Sequence, residues 1–212
     1  MTEKPVFAIV PVKPLKDGKS RLAPILDSEA RKDLNAFLMR RTFDLLAAFP
    51  GTSRSIVISA DAAVAAEAEA RGMSFVMDDD CDLNAALAKA TRAAEEQGAE
   101  AVIVLPVDLP LATSADLRRI ASLTGPSKRC IIVSDRHRRG TNLLYISPPC
   151  ADIYRFGPGS FELHRAVAAA LGFHTVEIAD SVLSLDIDEP ADYERWRCSP
   201  AAVSKKQKTD AD

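Results

Sequence analysis

The order of apolar and polar positions along the 212-residue chain predicts strands that alternate with helices. Continuous apolar runs, typical of strands buried on both faces of a sheet, lie at residues 6–12, 55–59 and 101–105. Further strands are predicted at residues 73–77, 130–134, 143–146 and 175–178. Segments with helical spacing or alanine-rich composition lie at residues 28–49, 62–70, 83–97, 114–124, 160–168 and 190–196. This alternation predicts an α/β fold with three layers, α/β/α, around a mostly parallel sheet.

The chain is long enough for one domain with a real core, because 47% of its residues are hydrophobic. Neither an internal repeat nor an interdomain linker is visible. We expect one domain over residues 1–197. The polar composition of residues 198–212 predicts a disordered tail, whose lysines are interpreted as solubilising.

Charge and cysteine usage exclude several classes of protein. The net charge of −3 argues against a nucleic-acid binder that relies on bulk positive charge. No apolar run approaches 18 residues and no signal-peptide pattern opens the chain, so a cytoplasmic protein without membrane contact is expected. The four dispersed cysteines form no CxxC pair and are predicted to be reduced thiols.

Asp108 follows the apolar run at residues 101–105 and stands between Pro106 and Pro110. An acid just past the carboxyl end of a buried strand lies where open α/β sheets bind their ligands. Both prolines fix φ, so the turn that carries Asp108 is expected to be stiff. Asp108 is a candidate ligand for a divalent metal on a nucleotide phosphate; the alternative is a cap for the following helix.

A loop rich in positive charge follows the first predicted strand. It contains Lys13, Lys16, Lys19 and Arg21, which suit a bound anion. Residues 18–20 resemble part of a phosphate-binding P-loop, but Lys13 stands where that motif requires glycine, which excludes it. The alternative is an ordinary solvated turn.

Asp186 and Asp188 form the second acidic candidate. In an extended segment their side chains share one face, about 7 Å apart, with Ile187 on the other face. Two carboxylates on one face repel each other unless a cation compensates them. The pair is therefore predicted to share one metal ion or to flank two.

Further candidates have weaker signals. Asp61 ends the second strand, and Asn84 lies at a helix start, where it either supports the helix or reads a nucleotide. The triplet at residues 78–80 is interpreted as a solvated turn, since three successive acids do not converge on one ion. Three arginines at residues 136–139 either bind a small anion or form a solvated hairpin end.

A glycine-bearing turn at residues 156–161 is a candidate site for a second anion. Ser160 is placed to open a helix, where free amides and a hydroxyl suit a phosphate or carboxylate. His164 in that helix is interpreted as a packed or surface histidine. Basic residues and carboxylates thus gather at one rim of the sheet, as metal-assisted nucleotidyl transfer requires.

Several motifs recur in the same order in one family: residues 9–14, 18–22, 83–84, 105–110, 140–142, 156–161 and 185–188. Over residues 6–196 the chain resembles the guanylyltransferases of deazaflavin coenzyme (factor 420) biosynthesis. These belong to the molybdopterin-guanylyltransferase-like nucleotidyltransferases. The resemblance implies a nucleotide-diphospho-sugar transferase-like, Rossmann-like fold. The chain departs from the wider relatives in having Pro11, Lys13 and Pro14 where they carry glycines.

The resemblance also implies roles for individual residues. Metal ligands would be Asp108, Asp186 and Asp188, with Mg²⁺ as the ion. The phosphorylated acid would contact Thr141, Gly157 and Ser160. A triphosphate clamp would consist of Lys13, Lys19 and Arg21, and the guanosine half would face Asn84 and Asp61.

The implied reaction moves GMP from GTP to the phosphate of phosphoenolpyruvate, 2-phospho-L-lactate or 3-phospho-D-glycerate and releases pyrophosphate. A downstream transferase for the phospho-acid is a candidate partner, and the protein is expected to be a monomer or homodimer. Two alternatives stay open. One is a nucleotidyltransferase for molybdopterin or a sugar phosphate, perhaps with CTP; the other is a non-catalytic nucleotide-binding protein.

Overall fold

A central sheet of seven strands lies between helices in the computed structural model, which describes residues 5–78, 82–123 and 125–199. Its strands are β1 (Val6–Pro11), β2 (Ser55–Ser59), β3 (Ser74–Met77), β4 (Ala101–Val104), β5 (Arg129–Ser134), β6 (Thr141–Ser147) and β7 (His174–Ile178). Their order across the sheet is β3-β2-β1-β4-β6-β5-β7. The predicted α/β class is confirmed.

Six helices connect or follow these strands. They are α1 (Ser28–Ala48), α2 (Ala62–Ala70), α3 (Leu83–Glu96), α4 (Ser114–Ser122), α5 (Ser160–Ala170) and α6 (Pro190–Arg197). Aspartates begin three of them, because a carboxylate accepts amide protons that no helical carbonyl can reach. Asp27 caps α1, Asp61 caps α2 and Asp82 caps α3.

All strand pairs are parallel except those made by β6, which runs antiparallel to both β4 and β5. The basic segment at residues 135–140 joins β5 to β6 and is too short for the crossover that a parallel pair requires. It is therefore a hairpin end. The prediction of a mostly parallel sheet is confirmed, with β6 as the reversed strand.

Strands β1, β2 and β4 are buried on both faces of the sheet, as their unbroken hydrophobicity predicts, whereas β3 and β7 at its two edges are only partly buried. Along β1, Val6, Ala8 and Val10 join one core cluster, whereas Phe7 and Ile9 join the cluster on the opposite face. A third, smaller cluster packs Leu22, Leu34, Leu38 and Ile187 together. It attaches the loop after β1 and the segment near residue 187 to α1.

The structure can also be compared with the expectations for membrane helices and for cysteines. Within the described residues, none of the helices has the length and apolar character needed to cross a bilayer. Cys130, Cys150 and Cys198 are free thiols, and Cys81 lies outside the described residues. The predicted tail lies outside them from residue 200 onward.

Candidate active site

A cavity of about 450 Å³ opens at the carboxyl ends of the neighbouring strands β1 and β4. The loop after β1 forms one wall, including Lys13, Gly18 and Lys19, and the turn after β4 forms another. Asp108 and Asp188 lie along the same cavity. The structure thus brings together the basic loop and the acids that the sequence analysis selected separately.

Lys19 lies between two of these acids. Its Nζ atom is 2.8 Å from Asp108 Oδ2 and 3.4 Å from Asp188 Oδ1, and only 7% of its side chain is exposed. Burial lowers the pKa of Lys19, but the charges of Asp108 and Asp188 outweigh burial and leave the pKa raised. The ammonium group is therefore held in its charged form.

The backbone around Lys19 is fixed from two sides. Lys19 adopts a left-handed conformation, with φ of 59°, at the start of a short 3-10 helix. Asn35 on α1 donates to Leu15 O at 2.8 Å and lies so close to Gly18 that a β-carbon there would collide with the Asn35 amide. Glycine is thus required where the loop passes over α1.

Asp61 fixes the other side of this loop. Its Oδ2 accepts the Leu15 N–H at 3.0 Å, and its Oδ1 accepts the Ala63 N–H at 2.9 Å. Both carboxylate oxygens therefore bind backbone amides. The structure gives Asp61 a role in positioning the loop, whereas its predicted contact with guanosine stays a prediction.

The segment that carries Asp186 and Asp188 lies outside the seven strands of the described sheet. The Ile187 N–H donates to Asp108 O at 3.1 Å, which attaches the segment to the turn after β4. Ile187 is fully buried, while Asp186 and Asp188 are half-buried. This is the alternation that the sequence predicts.

The carboxylates of Asp108, Asp186 and Asp188 lie close enough together to shift the pKa of Asp186. Burial raises the pKa of Asp186 to about 6, with further contributions from the charges of Asp108 and Asp188. Asn142 partly offsets this, because its Nδ2 donates to Asp186 Oδ1 at 3.4 Å and to Leu183 O at 3.1 Å. Asp108 Oδ1 is buried and accepts no hydrogen bond from the described residues.

The predicted metal ligands Asp108, Asp186 and Asp188 lie close together, but their side chains are not arranged as a complete coordination site. Within residues 5–78, 82–123 and 125–199, no group of three or more acidic, histidine or cysteine side chains is placed to hold a metal ion. In this arrangement the cation between Asp108 and Asp188 is the Lys19 ammonium group. The alternative role of Asp108 as a helix cap is wrong, because Thr113 caps α4.

The other two members of the predicted clamp are more exposed. Arg21 Nη1 lies 3.5 Å from Asp188 Oδ2, with 70% of the Arg21 side chain exposed. Lys13 lines the cavity from an exposed position. Both side chains are therefore more accessible than that of Lys19, and of the two only Lys13 is among the residues that line the cavity.

Thr141 and Ser160, predicted to contact the phosphorylated acid, are joined in one network with His164. The Thr141 N–H donates to Ser160 Oγ at 2.9 Å, and Thr141 Oγ1 lies 2.9 Å from His164 Nδ1. The Arg155 N–H donates to His164 Nε2 at 2.9 Å, so Nε2 carries no proton. In the neutral ring Nδ1–H must then donate to Thr141, which leaves the Thr141 hydroxyl proton for another acceptor.

The turn before α5 depends on Asn84 and on two glycines. Asn84 Oδ1 accepts the Phe156 N–H at 2.7 Å, and its Nδ2 donates to Phe156 O at 3.1 Å. Gly157 and Gly159 then adopt positive φ values of 136° and 73°, which favour glycine. Asn84 thus holds the turn, and its predicted contact with the nucleotide stays a prediction.

The arginine-rich hairpin end is largely neutralised by acids. Arg136 pairs with Asp192 on α6, and Arg138 Nη2 lies 2.9 Å from Glu177 Oε2. These pairs favour a structural interpretation over an anion site. Sequence reasoning missed Asn35 and Asn142 as positioning residues, since neither lies next to the acid or loop that it holds.

Comparison with known proteins finds similar sequences over most of the chain. The sequence model of the family described as "Guanylyl transferase CofC like" matches residues 6–195. A phosphoenolpyruvate guanylyltransferase of Rubrobacter xylanophilus is 38% identical over 194 residues, covering 92% of this chain and 94% of that protein. One from Sphaerobacter thermophilus is 33% identical over 188 residues, covering 89% and 90%.

Solved structures show the same fold. A protein of Desulfovibrio desulfuricans G20 assigned to the nucleotide-diphospho-sugar transferases superposes with a TM-score of 0.68 at 15% identity, covering 98% of this chain and 96% of that one. A nucleotidyl transferase of Methanothermobacter superposes with a TM-score of 0.60 at 20% identity, covering 91% and 95%. The predicted nucleotide-diphospho-sugar transferase-like fold is confirmed.

Proposed function

Since the chain belongs to the CofC-like guanylyltransferase family, we propose that it transfers GMP from GTP to the phosphate of a small phospho-acid and releases pyrophosphate. Phosphoenolpyruvate is the proposed acceptor, because the relatives above carry that name. The proposed pathway is the biosynthesis of the deazaflavin coenzyme. The observation that carries the proposal is the buried Lys19 ammonium group paired with Asp108 and Asp188 beside the cavity.

The basic loop is proposed to hold the triphosphate. Lys19, Arg21 and Lys13 offer three positive charges at the end of β1, of which Lys19 is fixed and the other two are exposed. One buried and two exposed cations suit a polyphosphate, because part of its charge must be released with the leaving pyrophosphate.

The acceptor is proposed to bind at the turn before α5. With His164 Nδ1 donating to Thr141, the Thr141 hydroxyl proton is directed away from the ring. Ser160 Oγ accepts from the Thr141 amide and keeps its own proton for a second bond. These two hydroxyl groups, which are largely buried beside the exposed turn at Gly157, are the proposed donors to the oxygens of a phosphorylated carboxylic acid.

A divalent ion fits the acidic part of the site. Asp108 Oδ1 is buried without a partner among the described residues, and like charges together with burial raise the pKa of Asp186 to about 6. Both observations indicate that the Lys19 ammonium group, which pairs with Asp108 and Asp188, does not fully compensate the three carboxylates. Asp108, Asp186 and Asp188 would hold Mg²⁺, which when bound would neutralise charge on the phosphate oxygens.

The chemistry needs no general base from the protein. An oxygen of the acceptor phosphate attacks the α-phosphorus of GTP; one P–O bond forms and the bond to pyrophosphate breaks. The second pKa of a phosphate monoester is near 6, so the nucleophile is already ionised at neutral pH. The protein's residues then contribute by positioning both substrates and by neutralising charge.

The test compares the wild-type protein with Asp108→Asn. Wild-type protein with GTP, Mg²⁺ and phosphoenolpyruvate should release pyrophosphate, with phospholactate and phosphoglycerate assayed in parallel. The variant should lose at least about 100-fold in kcat, as when one transition-state stabiliser is removed. Its circular dichroism spectrum should be unchanged.

Asp33→Asn is the matched control, since Asp33 is exposed on α1 and its loss removes the same charge. Near-normal turnover of Asp108→Asn would contradict the role of Asp108. Pyrophosphate release with CTP, or only with a sugar phosphate or molybdopterin, would replace the proposed substrates. Binding of GTP without turnover on any acceptor would indicate a non-catalytic protein.

A further inference from the structure

Asp78 stands at the end of the cavity remote from Lys19 and belongs to no part of the proposed reaction. It follows β3, and its N–H donates to Ser59 O at 3.0 Å, which extends the pairing of β3 with β2 by one residue. Asp78 is among the residues that line the cavity. Asp78 Oδ1 is shielded from solvent and accepts no hydrogen bond from the described residues.

The sheet order allows an estimate of how far Asp78 lies from the reacting groups. Asp78 follows β3 and Asp108 follows β4, and β2 and β1 lie between these strands. Three strand spacings correspond to about 14 Å. A nucleoside bridges such a gap when its 5′-phosphate is near Asp108 and the far edge of its base is near Asp78.

The walls of this end of the cavity suit a flat ring. Ile58, Ala60 and Leu83 contribute apolar surface beside Asp78. Apolar walls with few polar groups are typical of small-molecule sites, in which the polar groups fix orientation. Asp78 is the polar group placed to do so here.

Other polar side chains along the cavity have different engagements. Lys19 pairs with Asp108 and Asp188, and the Asn35 amide donates to Leu15 O. Lys13 and Asp17 are exposed at the loop after β1. Among the cavity-lining side chains that the structure describes, Asp78 is therefore the sheltered carboxylate that lacks a donor at the β3 end.

We propose that Asp78 selects guanine by accepting hydrogen bonds from its N1–H and its 2-amino group. This inference rests on the proposed function and identifies the residue that determines the base. Guanine presents two adjacent donors that match the two oxygens of a carboxylate. Adenine and cytosine present an acceptor next to their amino group, and uracil presents a single N–H between carbonyls, so each leaves a carboxylate oxygen unpaired or repelled.

The test uses base analogues with the full chain, Mg²⁺ and the acceptor that the wild-type protein accepts. Inosine triphosphate lacks the 2-amino group, so wild-type kcat/KM should fall about 10-fold to 100-fold relative to GTP, the range for one bidentate base contact. Asp78→Ala should bring GTP down to the level of inosine triphosphate. Its kcat/KM for inosine triphosphate should change less than threefold.

Asp78→Asn should gain activity with a different base, a result that misfolding could not produce. A carboxamide accepts from N1–H and donates to a 2-carbonyl, the pattern of xanthine. The variant should therefore use xanthosine triphosphate at least about 10-fold better than wild type does, while its use of GTP falls. Asp33→Asn, which removes an exposed carboxylate elsewhere, should leave all these ratios unchanged.

Two results would overturn the inference. One is an unchanged preference for GTP over inosine triphosphate in both Asp78 variants. The other is an unchanged base preference together with loss of discrimination against 2′-deoxy-GTP, which would place Asp78 at the ribose. If wild-type protein releases no pyrophosphate from GTP with any acceptor, the proposed function fails instead, and nucleotide-induced shifts in Tm for the same analogues then test Asp78 alone.

Discussion

Lys19 combines a buried charge with a backbone conformation that is rare for residues other than glycine. Holding such a residue in the left-handed region costs about 1 kcal/mol or more, and it persists where the surroundings over-determine it. Gly18, Asn35 and the two carboxylates provide those constraints. The strain is thus located at the group that we propose to meet the triphosphate.

Replacing Lys19 with methionine should test this role, because methionine keeps an unbranched apolar stem but removes the charge. We expect kcat to fall about 100-fold or more, as for other groups that stabilise a transition state. The measurement is pyrophosphate release in a single turnover at saturating GTP and acceptor. Lys32→Met is the control, since Lys32 is exposed and, among the described residues, forms an ion pair only with Glu29 on the same helix. A rate within threefold of wild type would argue against the role.

His164 supplies a prediction about pH. Burial, followed by the charge of Arg155, lowers the pKa of His164 to about 4 from an ordinary value near 6.5. Between these values the unfolded chain binds more protons, so the free energy of unfolding decreases as the pH falls from 6.5 towards 4. The contribution lost between pH 7 and pH 5 is about 2 kcal/mol. Urea unfolding at both pH values measures it.

The variant His164→Asn should isolate this effect, because its amide can still donate to Thr141 but does not titrate. The loss of stability between pH 7 and pH 5 should shrink by about 2 kcal/mol relative to wild type. Exposed His137→Asn, outside this network, should not change it. Equal pH dependence in the His164 variant and wild type would show that the histidine is not buried in neutral form.

Single residues were predictable from the sequence to different extents. Asp108, Lys19 and Asp188 stood out because they follow apolar runs or alternate with them, and the structure brings them together. Asn142 did not, because its partner Asp186 lies 44 residues away. His164 was interpreted as a packed or surface histidine and is buried, but its contact with Thr141 was not predicted. Local pattern carries no information on such contacts.

The loop after β1 is an element whose shape is imposed by its neighbours. Leu15 N–H binds Asp61, 46 residues away, and Leu15 O accepts from Asn35, 20 residues away. Its sequence therefore predicted an anion site but not its conformation. The helices α1 to α3, by contrast, begin at capping aspartates and follow patterns local to the chain.

Asp61→Ala should separate capping from loop positioning. Loss of the α2 cap should lower the free energy of unfolding by about 1 kcal/mol. Release of Leu15 should in addition raise KM for GTP several-fold, because the loop is then ordered only upon binding. Thermal or urea unfolding and steady-state kinetics give the two quantities.

Asp27→Ala is the matched control for this variant. Asp27 caps α1 through Ala30 N–H at 2.8 Å, and that bond does not involve the loop at residues 13–19. It should lose comparable stability while KM for GTP stays unchanged. Equal kinetic effects in both variants would show that Asp61 acts on activity through stability alone.

The order of strands, rather than any single motif, brings the site together. β1 pairs with β4, although some 90 residues separate them, so the loop after β1 and the turn after β4 meet at one edge. Hydrophobic pattern predicted the strands and the parallel class because unbroken apolar runs require two covered faces. It did not predict the reversal of β6, which follows from the short connection after β5.

A site assembled from separate segments should couple ligand binding to the stability of the whole fold. GTP at about 100 times its Kd should stabilise the protein by about 2.7 kcal/mol, which for a chain of this length corresponds to a rise in Tm of roughly 5–10 °C. If Mg²⁺ joins Asp108 and Asp186 to the phosphates, EDTA should reduce this rise. The measurement is a thermal melt with GTP in the presence and absence of Mg²⁺.

Asp108→Asn distinguishes metal binding from binding through the basic loop alone. In this variant Lys19 and Arg21 still face the triphosphate, so the part of the Tm rise that persists in EDTA should remain. The part that requires Mg²⁺ should disappear, because one carboxylate no longer contributes to the ion. If GTP stabilises wild-type protein equally with and without Mg²⁺, these carboxylates act by holding Lys19 rather than by holding a metal. The Lys19–Asp108 pair would then be the organising contact of the site.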